Sequence, residues 1–248
     1  MNIVSLMAGS DEAFVASGFR YPKNLVEVSG RPLVEHVVEN FAELHAAPET
    51  RSTFLVKDHE LQSFHTDDVL RLLVGGANVI PVQEPTGGAA CTALLAIESI
   101  NNDEELLVCN GDLIVDLDIR EVLASFRERQ LDGGIVVFDA VHPRWSYVKL
   151  DAVGLVVETA EKRPISRMAT VGIYYFRRGS DFVTAAFESI RKGADVGGSF
   201  YVCPVYNELI LAQKRIGVFE TTRLMYHSLA DPQGVSDYES HLHDKEAS

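Results

Sequence analysis

Apolar positions along the first half of the chain fall into two alternating textures. Ile3 to Met7 is a short apolar run that reaches a glycine at Gly9, and Thr53 to Val56, Val79 to Val82 and Leu106 to Cys109 have the same form. Runs of this length, bounded by turn residues, read as buried strands that end in loops at one edge of a sheet. Between them, Leu33, Val34, Val37, Val38, Phe41 and Leu44 recur at helical spacing behind Pro32, which suits the first turn of a helix. That pattern predicts one continuous amphipathic helix. Ala89 to Ile97 predicts a second, and the stretch from Gly9 to about Pro22 reads as loop. Strand and helix alternate, so the expected class is α/β, with a Rossmann-like mixed, mostly parallel sheet flanked by helices.

The texture changes after about Asp118. Ile119 to Arg129 reads as a helix, Gly134 to Phe138 as a strand, and Tyr147 to Val157 as two strands around the turn Asp151-Ala152-Val153-Gly154. Val171 to Phe176 gives another strand, and Ser180 to Ile190 and Val205 to Ala212 look helical. This half therefore looks mixed and partly antiparallel. The tail from about Ser240 is polar and is expected to fray. No repeat, linker or low-complexity block interrupts the chain, so a single domain over residues 1–248 is the simplest organisation.

Composition narrows the partners. A chain of 248 residues that is 46% apolar can fill one substantial core. Lys and Arg total 22 against 36 Asp and Glu, a formal charge of −14. Nucleic acid is thereby disfavoured, because such binding rests on clustered cations that release counterions. A nucleotide is not, since a pocket can be locally cationic or use a divalent metal. Cys91, Cys109 and Cys203 are odd in number and widely spaced, which suggests buried thiols rather than a disulfide framework or a zinc cluster. Neither a signal peptide nor a membrane-length apolar run is visible, and the cytoplasm is the expected compartment. A homo-oligomer is compatible with this composition.

The candidate chemistry lies where the strands end. Met7-Ala8-Gly9 is followed by Phe14, Gly18, Pro22-Lys23-Asn24-Leu25, Val28, Gly30 and Pro32. Later come Gln83, Pro85, Gly87-Gly88-Ala89, Asn110-Gly111-Asp112, Ser146-Tyr147-Val148, Glu161-Lys162, Pro164, Gly172, Phe200-Tyr201 and Gly234-Val235-Ser236-Asp237-Tyr238. In this order the elements resemble the sugar-phosphate nucleotidylyltransferases, also called nucleoside-diphosphate-sugar pyrophosphorylases, over almost the whole chain. The resemblance implies transfer of a nucleotidyl group from a nucleoside triphosphate to a sugar 1-phosphate or similar phosphorylated small molecule, with release of pyrophosphate. It also implies Mg²⁺ and a place in surface-polysaccharide precursor synthesis. Residues 1–118 would form the nucleotide-binding half, 119–240 the substrate-binding half and 241–248 a tail.

The same resemblance assigns the site. Ala8, Gly9 and Ser10 would hold phosphate oxygens through backbone N–H groups, and Lys23 would be the catalytic cation beside the phosphates. Gln83, Gly88 and Asn110 complete the expected nucleotide contacts, Gln83 because it carries both a donor and an acceptor and Gly88 because it lets backbone approach the base. Asp112 would be catalytic and hold the metal, with Asp237 as second ligand. Glu161, Lys162 and Gly172 would bind the acceptor. Plainer roles stay open: a surface lysine at Lys23, a turn before a helix at Gly88, a cap at Asp112, an N-cap at Ser236 or Asp237, and hairpin charges at Glu161 and Lys162. Arg144 and the eight histidines carry no signal above surface residues.

One departure stands out. The family's loop has glycine and arginine where this chain has Asp11 and Ala13, so a usual clamp on the triphosphate is missing. Lys23, Arg20 or the metal would have to replace it, while Asp11 and Glu12 would repel a triphosphate by on the order of a kcal/mol each. A catalytically silent nucleotide-binding subunit and a glycosyltransferase are the alternative functions.

Overall fold

The computed structural model describes residues 1–83 and 85–246. The first half runs β1 (Asn2–Leu6), α1 (Glu12–Ala16), β2 (Glu27–Val28), β3 (Arg31–Pro32), α2 (Leu33–Glu39), α3 (Ala42–His45) and β4 (Arg51–Lys57). It continues through α4 (Asp58–Phe64), α5 (Thr66–Leu73), β5 (Asn78–Val82), α6 (Ala89–Leu94), α7 (Ile97–Ile100), β6 (Leu106–Asn110) and β7 (Leu113–Val115). The second half comprises α8 (Ile119–Glu128), β8 (Gly133–Asp139), β9 (Ser146–Leu150), β10 (Val156–Glu161), β11 (Met168–Phe176), α9 (Gly179–Arg191), α10 (Val202–Leu211), β12 (Ile216–Glu220), β13 (Tyr226–Ser228) and α11 (Pro232–Glu246).

Nine strands form one sheet in the order β10-β9-β11-β6-β1-β4-β5, with β8 pairing both β11 and β12. Strands β6, β1, β4 and β5 are mutually parallel, and β11 joins β6 antiparallel. Alternation sends successive side chains to opposite faces, and both faces carry helices. Val4, Val108, Tyr174 and Phe176 pack with Ala90 of α6, Phe182 of α9 and Tyr206 of α10. Ile3, Leu107, Ile173 and Tyr175 pack with Val122 and Phe126 of α8 on the other side. A third cluster joins Phe54 and Val56 to α2, α5 and the inner face of α11. Burial on both faces is why the central strands read as apolar runs rather than alternating ones.

Three expectations are corrected. The helix after Pro32 is broken at Asn40, because that side chain bonds the main chain of Val115 twice, donating to its carbonyl at 2.7 Å and accepting from its N–H at 2.9 Å. The loop after Gly9 contains the short helix α1, which Ser10 Oγ helps to start by accepting the Glu12 N–H at 3.1 Å. The tail does not fray at Ser240: α11 continues to Glu246, and His241 and Lys245 reach back to Asp116 at 3.0 and 2.9 Å. Residues 247 and 248 of that tail lie outside the described residues. No helix among the described residues is long and apolar enough to cross a membrane.

Candidate active site

The carboxyl ends of β1 and β6 and the loop after β5 open together into a cleft of about 740 Å³. Ligands collect at this edge because the loops after adjacent parallel strands diverge there and leave backbone N–H groups free. Ala8, Gly9 and Ser10 line it from β1, Gly88 from the loop after β5, and Asn110 and Asp112 from β6. The facing wall carries Arg144, Glu161, Lys162, Gly172 and Tyr201.

Lys23 lies beneath the β1 loop. Its side chain is only 4% exposed, and Nζ donates to Asp112 Oδ2 at 2.6 Å. A Cβ on residue 9 would come within 3.0 Å of that nitrogen, so glycine there makes room for the ammonium. The turn bearing Lys23 is fixed by its neighbour Asn24, whose Nδ2 donates to the Met7 carbonyl at 3.0 Å and to the fully buried Glu60 at 2.9 Å. Burial pushes the Glu60 carboxyl above its ordinary value.

Asp11 does not aim an uncompensated charge at the cleft. Its Oδ2 is ion-paired with Lys57 Nζ, while Oδ1 accepts the Lys23 backbone N–H at 3.1 Å. Charges thus alternate in sign from Lys57 through Asp11 and Lys23 to Asp112. Glu12 is exposed on the first turn of α1, as is Ala13, and the exposed Arg20 does not line the cleft.

Two glycines are required by close packing. Gly88 has φ +118°, and a Cβ there would lie 2.5 Å from the Phe200 carbonyl oxygen. Gly88 thus admits the backbone of Phe200, and the β5 loop is tied to the segment bearing Tyr201 through Phe200 N–H to Gly87 O at 2.7 Å. Gly172, at φ +98°, sits where β11 loses register with β8, and a Cβ would meet Asn110 Nδ2 at 2.6 Å.

On the facing wall Glu161 ends β10 and accepts a short hydrogen bond from Ser146 Oγ. Burial pushes its carboxyl upward, opposed by the Ser146 bond and by the charge of Lys162. Lys162 Nζ donates to Tyr201 OH at 2.8 Å, 5.0 Å from the centre of that ring. Arg144 lies 4.3 Å over the Trp145 ring.

Two expected residues fall elsewhere. Gln83 is exposed past the end of β5 and is not part of the lining. Asp237 is exposed in the interior of α11, bonded to Gln233 Nε2 at 2.8 Å, so it is neither an N-cap nor a neighbour of Asp112 in the cleft. The helix register turns Val235 and Tyr238 inward and leaves Asp237 facing water. From this end of the chain, Ser228 and Ala230 reach the cleft, beside Asp112, whose carbonyl accepts the Leu229 N–H at 2.8 Å.

Sequence reasoning missed Lys57 and Arg144, and it placed Tyr201 in the family's pattern without giving it a role. A charge closing the apolar run Thr53 to Val56 was the available signal for Lys57, since that strand ends at the same edge as β1. Arg144 and Tyr201 come from loops whose approach depends on the whole sheet.

The chain is similar to several known proteins. Residues 16–203 match the profile of the nucleotidyl transferase family. The chain is 26% identical over 183 residues to a protein of Methanocaldococcus jannaschii named bifunctional protein GlmU, covering 71% of this chain and 40% of that one. It is 25% identical over 181 residues to the UTP–glucose-1-phosphate uridylyltransferase AglF of Haloferax volcanii, covering 71% and 72% respectively. The crystal structure of a nucleoside-diphosphate-sugar pyrophosphorylase from Vibrio cholerae RC9 superposes with a TM-score of 0.81 at 27% identity, over 97% of this chain and all of that one.

Proposed function

From the premise that the chain belongs to the nucleotidyl transferase family, we propose that it transfers a nucleotidyl group from a nucleoside triphosphate to a sugar 1-phosphate or similar phosphorylated small molecule. A phosphate oxygen of the acceptor forms the new bond to the α-phosphorus, the bond to the bridging oxygen breaks, and pyrophosphate departs with that electron pair. The observation that carries this reading is the Lys23 ammonium held 2.6 Å from Asp112 under the floor of the cleft.

Lys23 offers a fixed positive charge where the phosphates would lie, at no cost of reorganisation during the reaction. Backbone N–H groups of Ala8 to Ser10 take phosphate oxygens. Lys162 and Arg144 hold the acceptor phosphate on the facing wall, and Glu161 accepts from an acceptor hydroxyl. Residues 1–118 then serve the nucleotide and 119–240 the acceptor, and the product suits surface-polysaccharide synthesis in the cytoplasm.

The donors at the floor fit Mg²⁺. This ion takes oxygen ligands and commonly uses one or two carboxylates, completing its shell with water and substrate phosphate. Asp112 is the carboxylate available, with Asn110 beside it, and Asp237 is withdrawn from the ligand set. When bound, the ion would neutralise developing charge on the phosphates.

A second reading, a silent binder of nucleotides, has one observation in its favour: Ala13 is exposed on α1, and no arginine reaches the cleft from that loop. Isothermal titration with each triphosphate, with and without Mg²⁺, tests the binding half of the proposal. Triphosphate binding that depends steeply on Mg²⁺ and is lost in Asp112→Asn is expected. Undiminished metal-dependent binding in that variant would remove Asp112 from the assignment.

A further inference from the structure

We propose that Asp116, His227 and His241 form a transition-metal site of the zinc class, separate from the cleft. His227 Nε2 and His241 Nε2 lie 3.2 and 3.0 Å from the same oxygen, Asp116 Oδ2. All three donor atoms fall within 4.8 Å of one another. Three ligands around a tetrahedral ion with bonds of about 2.0 Å stand about 3.3 Å apart, so the nitrogen-to-oxygen separations already match the edges of such a site.

The three residues come from a loop, a strand and a helix and are held independently of any ion. Asp116 follows β7, where its N–H donates to the Met225 carbonyl at 2.8 Å. His227 is the middle residue of β13, paired opposite Ile114. Its neighbours Tyr226 and Ser228 line the cleft, so strand alternation turns His227 to the opposite face. His241 projects from α11, and Tyr238, one turn earlier, packs against both imidazoles at ring separations of 5.2 and 6.2 Å. The two imidazoles are 4.3 Å apart.

Ligand type selects the ion. Two imidazoles and one carboxylate suit Zn²⁺, Co²⁺ or Ni²⁺ and not Mg²⁺, which prefers oxygen donors. Lys245 does not stand in the way: it is bonded to the other carboxylate oxygen, Oδ1, at 2.9 Å. Three protein ligands leave one position for water. An ion here would bind α11 to the β7–β13 pair, whose opposite face borders the cleft.

The test uses tag-free full-length protein stripped with a chelator. Titration with ZnCl2 should show one equivalent bound, with MgCl2 unable to compete. Melting temperature should rise by on the order of 5 °C or more when zinc exceeds its Kd a hundredfold. His241→Gln and His227→Gln should each weaken zinc binding by about tenfold to a hundredfold or more, since loss of even an outer-shell partner costs that much. Asp112→Asn should bind zinc as the parent does. The visible spectrum of the Co²⁺ form of the parent reports imidazole ligation without any substitution. Absence of zinc and cobalt binding in the parent would overturn the proposal, as would folded histidine variants that bind zinc unchanged. The cluster would then be a hydrogen-bonded clasp around Asp116.

Discussion

Lys23 shows how much a single residue's setting decides. The sequence places a lysine after a turn proline, and the fold buries it to 4% exposure against one carboxylate. A buried ammonium with a single partner is expensive to maintain, so its removal separates structure from chemistry. Lys23→Ala should lower turnover by about a hundredfold or more, and a rate equal to the parent would make Lys23 merely structural. His45 gives a second test at this scale. Its Nδ1 lies 2.7 Å from Ser52 Oγ and its Nε2 is buried without a partner, and burial lowers its pKa to about 4. The folded value is below the unfolded one of about 6.5, so the neutral ring's stabilisation is complete above pH 6.5 and declines as pH falls towards 4. The loss over that window reaches up to about 3 kcal/mol. Denaturation of the parent and of His45→Gln at pH 7 and pH 4.5 should show a steeper acid loss in the parent, and parallel curves would exclude His45 as the cause.

At the scale of elements, the sequence was most legible where a single force acts. Leu106 to Cys109, and Ile3 to Met7 apart from the buried Ser5, announce strands because helices cover both faces of the sheet, so no alternation with polar residues is needed. The break at Asn40 was not legible, since the apolar spacing from Leu33 to Leu44 continues across it and the cause lies 75 residues away at Val115. Asn40→Ala should therefore cost about 2 kcal/mol or more, because the Val115 N–H and C=O lose partners in a partly buried place. Chemical denaturation measures this, and a midpoint equal to the parent's would refute the account of the break. The course of α11 was likewise hidden: Ser240 to Glu246 is polar apart from Leu242, and its order comes from Leu242 packing on the third cluster together with the bonds of His241 and Lys245 to Asp116, a distant partner that no local pattern signals. Gly88 and Gly172 were legible as special, but the partners that require them, Phe200 and Asn110, were not.

For the whole molecule, the order of motifs carried the family and most of the cleft, because the ends of parallel strands must meet at one edge. What the order could not reveal is which loop charges neutralise one another. Asp11 looked like a repulsive intruder, and its pairing with Lys57 changes the electrostatics of the loop. Restoring the family's residues with Asp11→Gly and Ala13→Arg frees Lys57 and adds a second cation. The double variant should bind triphosphate more tightly by about 1 to 3 kcal/mol, the range of a charge-assisted contact, as read by isothermal titration. Unchanged affinity would mean that the loop does not touch the phosphates. The central claim is catalysis, and its most direct measurement is pyrophosphate release by the parent protein, with Mg²⁺, across a matrix of nucleoside triphosphates and sugar 1-phosphates. Release with at least one pair, reduced by about a hundredfold or more in Lys23→Ala, is predicted. No release from any pair, by a parent that still binds triphosphate, would contradict it and leave a silent nucleotide-binding protein.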